Sequence, residues 1–488
     1  MTRTLMLDVP LNRVEGDLEI RVEVRDGVVV DAWSSGTMFR GFENMMVGRA
    51  PLDDIAGVAV PANAVRQRNV ALMAEHVQSD LRQAILMFMV DFAGPGHAGG
   101  PLHEEAARRY APIHGESCIE TIRATRTILE LVALIGGQWP HSSFMVPGGV
   151  VRAIDVGDLI VCRQGLQRFR QWYEGRILGC SLERWGEVRS AADLDAWLEE
   201  SAGHRDGDLG FFLRLAGGAG LGGVGRGVGR FLSFGSLDIP AGSPVPGRGG
   251  RLLASGFSDA EGVHPFDQEL IAEHTAFSWY EGGAPGGLHP FSGETRPRAS
   301  GNEGGRYSWA KAPRYRGQPA ETGPLAEAVI DGDPLFADLI ARRGPSALVR
   351  QLARMVRPAR LVPVMDTWLA ELMAEPDGCV YSPPPPIENG RGHGLIQAAR
   401  GALGHWVSIE DGAISRYQVI TPSAWNGSPR DDAGVRGPWE EALIGVPVAD
   451  PENPVTIGHV IRSFDPCLVC TVHTLSRGRV LGRTRLTA

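Results

Sequence analysis

The spacing of apolar residues predicts a strand and two long helices in the first part of the chain. Leu18–Val24 alternates apolar and polar side chains, the pattern of a half-buried strand. From Asn63, a favourable N-cap residue, apolar residues recur at helical spacing as far as Gly94. A second apolar helix is predicted over residues 119–135. It ends there because a Gly-Gly pair follows.

The same spacing predicts further helices downstream. They cover about 163–178, 193–200, 325–341 and 346–375. No clear linker and no repeat interrupts the pattern, so we expect one intertwined α+β domain over residues 1–473 and a tail over 474–488.

Glycine and proline are abundant in this chain, at 64 and 34 residues of 488. With 43% hydrophobic residues the chain still has a sizeable core, so the excess indicates many irregular loops. One Gly-dense stretch contains Gly220-x-Gly222-x-x-Gly225, formally a dinucleotide-binding pattern. More glycines follow where a helix would have to begin, so we predict a flexible surface loop there instead of a nucleotide site.

Charge and cysteine content exclude several classes of protein. The net charge is −9, whereas a nucleic-acid-binding protein carries a basic stripe. Six cysteines in so long a chain exclude a disulfide-built scaffold. The longest apolar runs are too short to span a bilayer, and the N-terminus lacks a signal-peptide pattern, so we expect a soluble, cytoplasmic protein.

The most informative segment lies near the C-terminus, where Cys467 and Cys470 form a Cys-x-x-Cys pair followed by His473. Two thiolates at this spacing can chelate zinc, iron or nickel, and Asp465 can accept a hydrogen bond next to the metal. Half of a zinc site and a redox metal site both remain open on this spacing alone.

The segment resembles the C-terminal signature of nickel–iron hydrogenase large subunits, Asp-Pro-Cys-x-x-Cys-x-x-His. Further blocks of that family occur in the same order along the chain. They are Arg13-Val14-Glu15-Gly16, Arg40-Gly41-Phe42-Glu43, Pro140-His141, Val146-Pro147-Gly148-Gly149, Tyr307–Tyr315, Glu321-x-Gly-Pro324-Leu325 and Arg400–Trp406. The resemblance covers nearly the whole chain, looks most like the cytoplasmic uptake branch, and implies the mainly helical large-subunit fold with a β-containing N-terminal region and periphery.

The resemblance also implies a role for each residue of a catalytic centre. Cys467 would be a terminal thiolate on nickel, and Cys470 would bridge nickel to an iron that carries carbonyl and cyanide ligands. Arg400 would lie over the open coordination position with Asp465 supporting it, and Glu15 would take the proton released from hydrogen.

A separate magnesium-type ion is implied as well, held by Glu43 and His473 at the two ends of the chain. Taken singly, these residues have ordinary alternatives: Glu15 and Glu43 as surface carboxylates, Arg400 as an ion-pair partner, and His473 as a core histidine.

One departure from the family is severe. Its second cysteine motif, Arg-x-Cys-Gly-x-Cys-x-x-x-His, is absent from Arg49–Asn63, as though a segment between Asp54 and Ile55 had been deleted. The motif supplies the other two metal thiolates. The remaining cysteines are unpaired in sequence, and we expect buried small side chains at Cys118, Cys162, Cys180 and Cys379. Smaller departures are Ala399, where the family usually has proline, and the tail after His473, where mature members end.

Two functions follow from these observations. The first is the catalytic large subunit of a nickel–iron hydrogenase, which oxidises hydrogen and passes electrons to an iron–sulfur small subunit. The alternative is a catalytically impaired paralogue that acts as an assembly scaffold or binds a metal fragment. A third, the related subunit of respiratory complex I, is disfavoured because the terminal cysteine pair is retained.

The resemblance implies partners and a location too. They are the small subunit, maturation factors, an endopeptidase that trims the tail, and a heterodimer or larger assembly. Membrane association would come through partners, and the chain itself has no predicted span.

Overall fold

A computed structural model describes residues 4–16, 18–39, 41–49, 60–385 and 387–467. Cys470, His473, the tail over 474–488 and most of the segment around Asp54 therefore lie outside the described residues. The fold is α+β, as predicted, with helices more abundant than strands.

The helices and strands follow from the apolar pattern in most places. In chain order the α-helices are α1 Phe42–Met46, α2 Ala62–Arg82, α3 His103–Tyr110, α4 Glu116–Gly136, α5 Val156–Trp172, α6 Leu182–Trp185, α7 Ala191–Glu200, α8 Ala202–Asp206, α9 Asp208–Gly218, α10 Pro324–Asp331, α11 Pro334–Arg343, α12 Ala347–Ala374, α13 Pro422–Asn426, α14 Pro438–Leu443 and α15 Val455–Arg462. The strands are β1 Thr4–Pro10, β2 Leu18–Arg25, β3 Val28–Gly36, β4 Met145–Val146, β5 Gly149–Val150, β6 Phe231–Asp238, β7 Arg251–Asp259, β8 Gly262–His264, β9 Ile271–His274, β10 Tyr280–Glu281, β11 Arg296–Pro297, β12 Ala312–Tyr315, β13 Gly390–Ala398, β14 Gly401–Glu410 and β15 Ala413–Ile420.

A bundle of long helices forms the main core. Helix α2 packs against α4 and α12, and α5 packs against α4 and α12 on the far side. The apolar residues predicted to line α2, among them Val77 and Leu81, are fully buried. This bundle supports three antiparallel sheets, β1–β2–β3, β6–β7–β8 and β13–β14–β15.

The predicted strand and helices are present, with three local differences. Asn63 lies inside α2 and not at its cap, and its amide donates to the Glu375 carbonyl oxygen at 2.8 Å. The long first helix continues after α2 as a π-helical turn, Gln83–Phe88, and a 3₁₀ turn, Met89–Ala93. The single helix predicted over 325–341 is split into α10 and α11, because Gly332 adopts a left-handed conformation between them.

The Gly-dense stretch contains no helix after Gly225, as expected, and so offers no helix N-terminus to a pyrophosphate. It is not a free surface loop throughout, however. Gly225 is buried and its carbonyl oxygen accepts a hydrogen bond from Arg350, a residue on α12. The difference arises because a buried arginine on the helix core uses this backbone as its acceptor.

Candidate functional site

Three connecting segments bring the predicted site residues together. Glu15 lies between β1 and β2, Arg400 lies in the two-residue turn between β13 and β14, and Asp465 and Cys467 follow α15. Residues 15 and 467 also form an isolated parallel bridge, so the two ends of the chain meet at this point.

Four side chains form a continuous contact set at this junction. The Cys467 thiol donates to Glu15 Oε2 at 3.1 Å. Arg400 Nη2 lies 3.1 Å from Glu15 Oε1, and Arg400 Nε lies 3.2 Å from Asp465 Oδ1. Cys467 is 1% exposed, whereas the Glu15 side chain is 53% exposed, so the set runs from the interior to solvent.

The backbone of the Arg400 turn depends on a glycine. Gly401 has a φ of 129°, and a Cβ atom at this position would lie 2.5 Å from Thr322 Oγ1. That hydroxyl accepts a hydrogen bond from the Ala402 backbone N–H at 2.7 Å. A side chain at position 401 would therefore displace the turn that carries Arg400.

A buried arginine, Arg357 on α12, holds the same turn from below. Its Nη2 donates to the carbonyl oxygen of Ala399 at 2.6 Å, and the guanidinium also pairs with Asp80 and Glu327 at 2.7 to 2.9 Å. Burial raises the pKa of Asp80 to about 7 even though the adjacent Arg357 opposes that shift. The network thus ties α2, α10 and α12 to the residue before Arg400.

A second buried arginine supports the segment after α15. Arg354 Nη1 donates to the carbonyl oxygen of Ser463 at 2.8 Å and to Gln351 Oε1 at 3.0 Å. Burial lowers the pKa of Arg354, and the negative charge of Asp465 acts in the opposite direction. Asp465 itself has a φ of 56°, and the Cys467 backbone N–H donates to Ser423 Oγ at 3.1 Å.

A cavity of about 300 Å³ opens above the contact set. Glu15, Arg400 and Asp465 line one side, and α2 with its π-helical continuation lines the other. The remaining lining residues are Arg13, Val14, Gln78, Ser79, Arg82, Gln83, Leu86, Met87, Trp139 and Pro466. The cavity is large enough for a small ligand at the Glu15 carboxylate.

Glu43 lies in a different place, in a buried polar cluster near β9, β12 and β15. Its carboxylate accepts from Lys311 Nζ at 3.1 Å, from the Val419 backbone N–H at 3.0 Å, and from Thr295 Oγ1. Burial raises the pKa of Glu273 to about 7 despite the nearby Lys311, and Glu43 adds to that shift. Burial works against the charge of Lys311, but Glu273 and Glu43 together raise its pKa. Glu43 is thus already paired with a cation of the protein.

The cysteines present do not complete the four-thiolate centre that the resemblance implies. Cys467 is the described member of its pair. Of the other four, the thiol of Cys180 accepts from Trp197 Nε1 at 3.4 Å and that of Cys379 donates to the Tyr381 carbonyl oxygen at 3.2 Å. Cys118 and Cys162 are buried, as predicted, and burial raises their thiol pKa values to about 11 and about 12. Cys379, in contrast, is exposed and Cys180 is only partly buried, so the expectation that all four are buried is wrong at these two positions.

Among the described residues, three side chains of another hairpin lie close enough together to bind one metal ion. Asp259, Glu261 and His264 of the β7–β8 hairpin place one ligand atom each within 4.8 Å of one another. His264 Nε2 is already hydrogen-bonded to Asp259 Oδ1 at 2.9 Å. The hairpin is solvent-accessible and distant in sequence from every predicted site residue, so we assign no role to it.

Sequence reasoning missed a buried cluster beside the site. Asp91 accepts from Arg462 Nη1 at 2.6 Å and from Arg13, and its Oδ2 lies 3.7 Å from His459 Nδ1. His459 Nε2 is 3.0 Å from His97 Nε2. Burial lowers the pKa of His459 to about 4. Arg13 stands in one of the quoted blocks, but no pattern pointed to its partners.

The chain is similar to hydrogenase large subunits over almost its full length. The sequence profile of the family described as nickel-dependent hydrogenase matches residues 219–473. The chain is 31% identical to the periplasmic [NiFeSe] hydrogenase large subunit of Desulfomicrobium baculatum, over 96% of this chain and 94% of that protein. It is 27% identical to the hydrogenase-2 large chain of Escherichia coli K12, over 97% and 98%.

A solved structure agrees with these similarities. The H2-activated [NiFeSe] hydrogenase of Dm. baculatum superposes with a TM-score of 0.78 at 28% identity, covering 97% of this chain and 100% of that chain. The predicted similarity to the cytoplasmic uptake branch is not supported, because these relatives include a periplasmic enzyme and uptake hydrogenases. Among the described residues, no helix is long and apolar enough to cross a membrane.

Proposed function

Because the chain belongs to the nickel-dependent hydrogenase large-subunit family, a family of oxidoreductases, we propose that it serves in heterolytic hydrogen oxidation. The electrons would pass to an iron–sulfur small subunit. The contact set of Glu15, Cys467, Arg400 and Asp465 is the observation that carries this proposal.

Glu15 is suited to take a proton from the Cys467 sulfur. The two atoms are 3.1 Å apart, which is hydrogen-bonding distance for a thiol and a carboxylate. Arg400 Nη2 lies 3.1 Å from the other carboxylate oxygen and holds the Glu15 side chain in place. Because the Glu15 side chain is half exposed, the same carboxyl can release the proton to water.

Arg400 and Asp465 would shape the cavity in which hydrogen is handled. Their ion pair fixes the guanidinium, while Arg357 and Thr322 fix the turn beneath it. A positive group held in a fixed orientation stabilises nearby negative charge more strongly than a group that must reorient.

The metal chemistry expected of the family requires ligands that this chain lacks in part. Nickel and iron with carbonyl and cyanide would be held by Cys467 and Cys470, and two further thiolates have no counterpart in the sequence. A magnesium-type ion at Glu43 and His473 is also proposed, and it would share the Glu43 carboxylate with Lys311.

Metal analysis of the purified protein, together with infrared spectroscopy, tests the proposal. Nickel together with iron and infrared bands of metal-bound carbonyl and cyanide would support it. A Cys467→Ser variant should lose these signals, whereas Cys379→Ser, at the exposed cysteine, should retain them. Absence of both metals and both bands from the unmodified protein would contradict the proposal.

The missing cysteine segment favours a second candidate, an assembly scaffold or metal-fragment binder. Two thiolates are enough to bind a single iron ion with its other ligands, whereas a nickel–iron centre of the family's type needs four. Iron without nickel, together with no hydrogen uptake in the presence of the small subunit, is the result expected for this role.

A further inference from the structure

A second cavity, separate from the one at Arg400, lies on the outer face of the N-terminal sheet. Its volume is about 390 Å³, within the range of about 300–1,000 Å³ typical of small-molecule sites. It shares no lining residue with the Arg400 cavity. From its aromatic walls and the Arg306 guanidinium, we propose that it binds a flat aromatic anion of two or three fused rings, independently of the hydrogenase function.

The outward face of the β1–β2–β3 sheet forms the floor of this cavity. Trp33 on β3 lies directly across from Arg21 on β2, and both side chains point away from the core. The alternate residues on the same strands, such as Ile20 and Ala32, are fully buried on the opposite face. Trp33 is therefore not placed here by core packing, since the pleat alternates buried and outward positions.

Three aromatic rings line the cavity, and interactions outside it hold each one. Trp279 Nε1 donates to the Gly301 carbonyl oxygen at 2.6 Å. The Tyr307 hydroxyl donates to Glu440 Oε1 at 2.7 Å, and the guanidinium of Arg430 lies 5.1 Å from the Trp33 ring centre. These contacts fix the rings before any ligand enters, which lowers the entropy lost on binding.

The three aromatic residues border the same cavity. Trp279 contacts Trp309, Tyr307 contacts Phe277, and none of the described ring contacts joins Trp33, Trp279 and Tyr307. The gap between them is the cavity itself. Rings that line a gap without filling it can stack on an inserted planar group.

Two guanidiniums and one carboxylate line the cavity, those of Arg21, Arg306 and Glu19. Arg21 Nε pairs with Asp8 at 2.6 Å, and its Nη2 lies 3.8 Å from Glu19. Arg306 lines the cavity, and the described residues provide no ion pair for its side chain. The Arg306 guanidinium beside aromatic walls offers hydrogen-bond donors and a positive charge to a planar anion, while Glu19 stays near Arg21.

Isothermal titration calorimetry of the purified full-length chain with naphthalene-2-sulfonate tests the proposal. Cyclohexanesulfonate supplies the charge without the aromatic ring, and naphthalene-2-methanol supplies the ring without the charge. We expect the sulfonate of naphthalene to bind most tightly. Trp33→Leu should weaken it about tenfold, and Arg306→Gln should weaken it roughly threefold while leaving the alcohol unaffected.

Two variants control for binding elsewhere. Arg126→Gln, an exposed arginine on α4, should bind as the unmodified protein does. Trp139→Leu alters the wall of the Arg400 cavity and should also have no effect. The proposal is overturned by absence of binding, by unchanged binding in both Trp33→Leu and Arg306→Gln, or by loss of binding in Trp139→Leu. Because Arg306 is on a loop, its variant stays informative if Trp33→Leu fails to fold.

Discussion

At the scale of single residues, the site is a thiol and two carboxylates arranged around one guanidinium. Cys467 and Glu15 are 452 residues apart in sequence and 3.1 Å apart in space. Arg400 lies between Glu15 and Asp465, so its one positive charge is shared by two acids. Asp465 therefore keeps the arginine paired when Glu15 takes up a proton.

Replacing Glu15 by Gln should slow proton transfer while preserving the shape of the site. The amide cannot accept and release a proton at working pH, so hydrogen uptake should fall by roughly 10²–10⁴-fold. Hydrogen–deuterium exchange and uptake assays on the assembled enzyme measure the effect, with metal content unchanged. Glu23→Gln, on the neighbouring strand and paired with Arg25, is the matched control. Full activity in Glu15→Gln would remove Glu15 from the proton path.

Glu440 should make stability depend on pH. It is fully buried, and burial raises its pKa from 4.5 to about 7, although hydrogen bonds from Ser34 and Tyr307 oppose the shift. Above pH 4.5 the unfolded chain releases a proton that the folded chain retains up to about pH 7, so stability falls across this window as pH rises.

Replacing Glu440 by Gln removes this titration. The free energy of unfolding of the variant, relative to the unmodified protein, should rise between pH of about 5 and about 8, by at most about 3 kcal/mol. Urea denaturation at both pH values measures it. Glu441→Gln changes a half-exposed residue of the same helix. Its free energy of unfolding should differ from that of the unmodified protein by nearly the same amount at both pH values. If the free energy of unfolding of Glu440→Gln also differs from that of the unmodified protein by the same amount at both pH values, the Glu440 carboxyl does not titrate as proposed.

At the scale of elements, the apolar pattern predicted α2, α4, α7 and α12 well, because their buried faces repeat at helical spacing. It could not predict the π-helical turn Gln83–Phe88, since apolar residues four apart, such as Ile85 and Met89, fit an α-helical and a π-helical turn alike. Nor could it predict that α12 carries three buried arginines, Arg350, Arg354 and Arg357. Most of their acceptors lie in distant segments, which spacing along one helix does not reveal.

Arg357→Gln should destabilise the protein strongly, because it leaves Asp80 and Glu327 buried without their cation. Removing one partner of a buried ion pair lowers the free energy of unfolding by about 3–5 kcal/mol. Urea denaturation measures the loss, and Arg163→Gln, which removes a half-exposed pair with Asp366, should cost about 1 kcal/mol or less. Adding Asp80→Asn to Arg357→Gln should recover part of the stability. An additive double variant would contradict a shared network.

At the scale of the whole molecule, the order of motifs along the chain predicted which residues meet. Glu15, Arg400, Asp465 and Cys467 do come together, although the sequence separations range up to 452 residues. The predicted pairing of Glu43 with His473 stays a prediction, because His473 lies outside the described residues. Lys311 beside Glu43 was not foreseen, since its position in a quoted block gave no sign of what it contacts.

Restoring the missing cysteine motif should restore the metal centre. The family's Arg-x-Cys-Gly-x-Cys-x-x-x-His segment, inserted between Asp54 and Ile55, would add two thiolates ahead of α2. With four thiolates available, nickel retention and hydrogen uptake should both exceed those of the unmodified chain.

The matched control is the same insertion with both cysteines replaced by serine. It lengthens the chain equally but adds no thiolate, so it should behave as the unmodified protein in metal analysis and infrared spectroscopy. If the cysteine insertion gains neither nickel nor activity while the small subunit still binds, the remaining site has diverged beyond the loss of two ligands. The scaffold role would then account better for the retained Glu15, Cys467 and Arg400 contacts, because they would persist without a bimetallic centre.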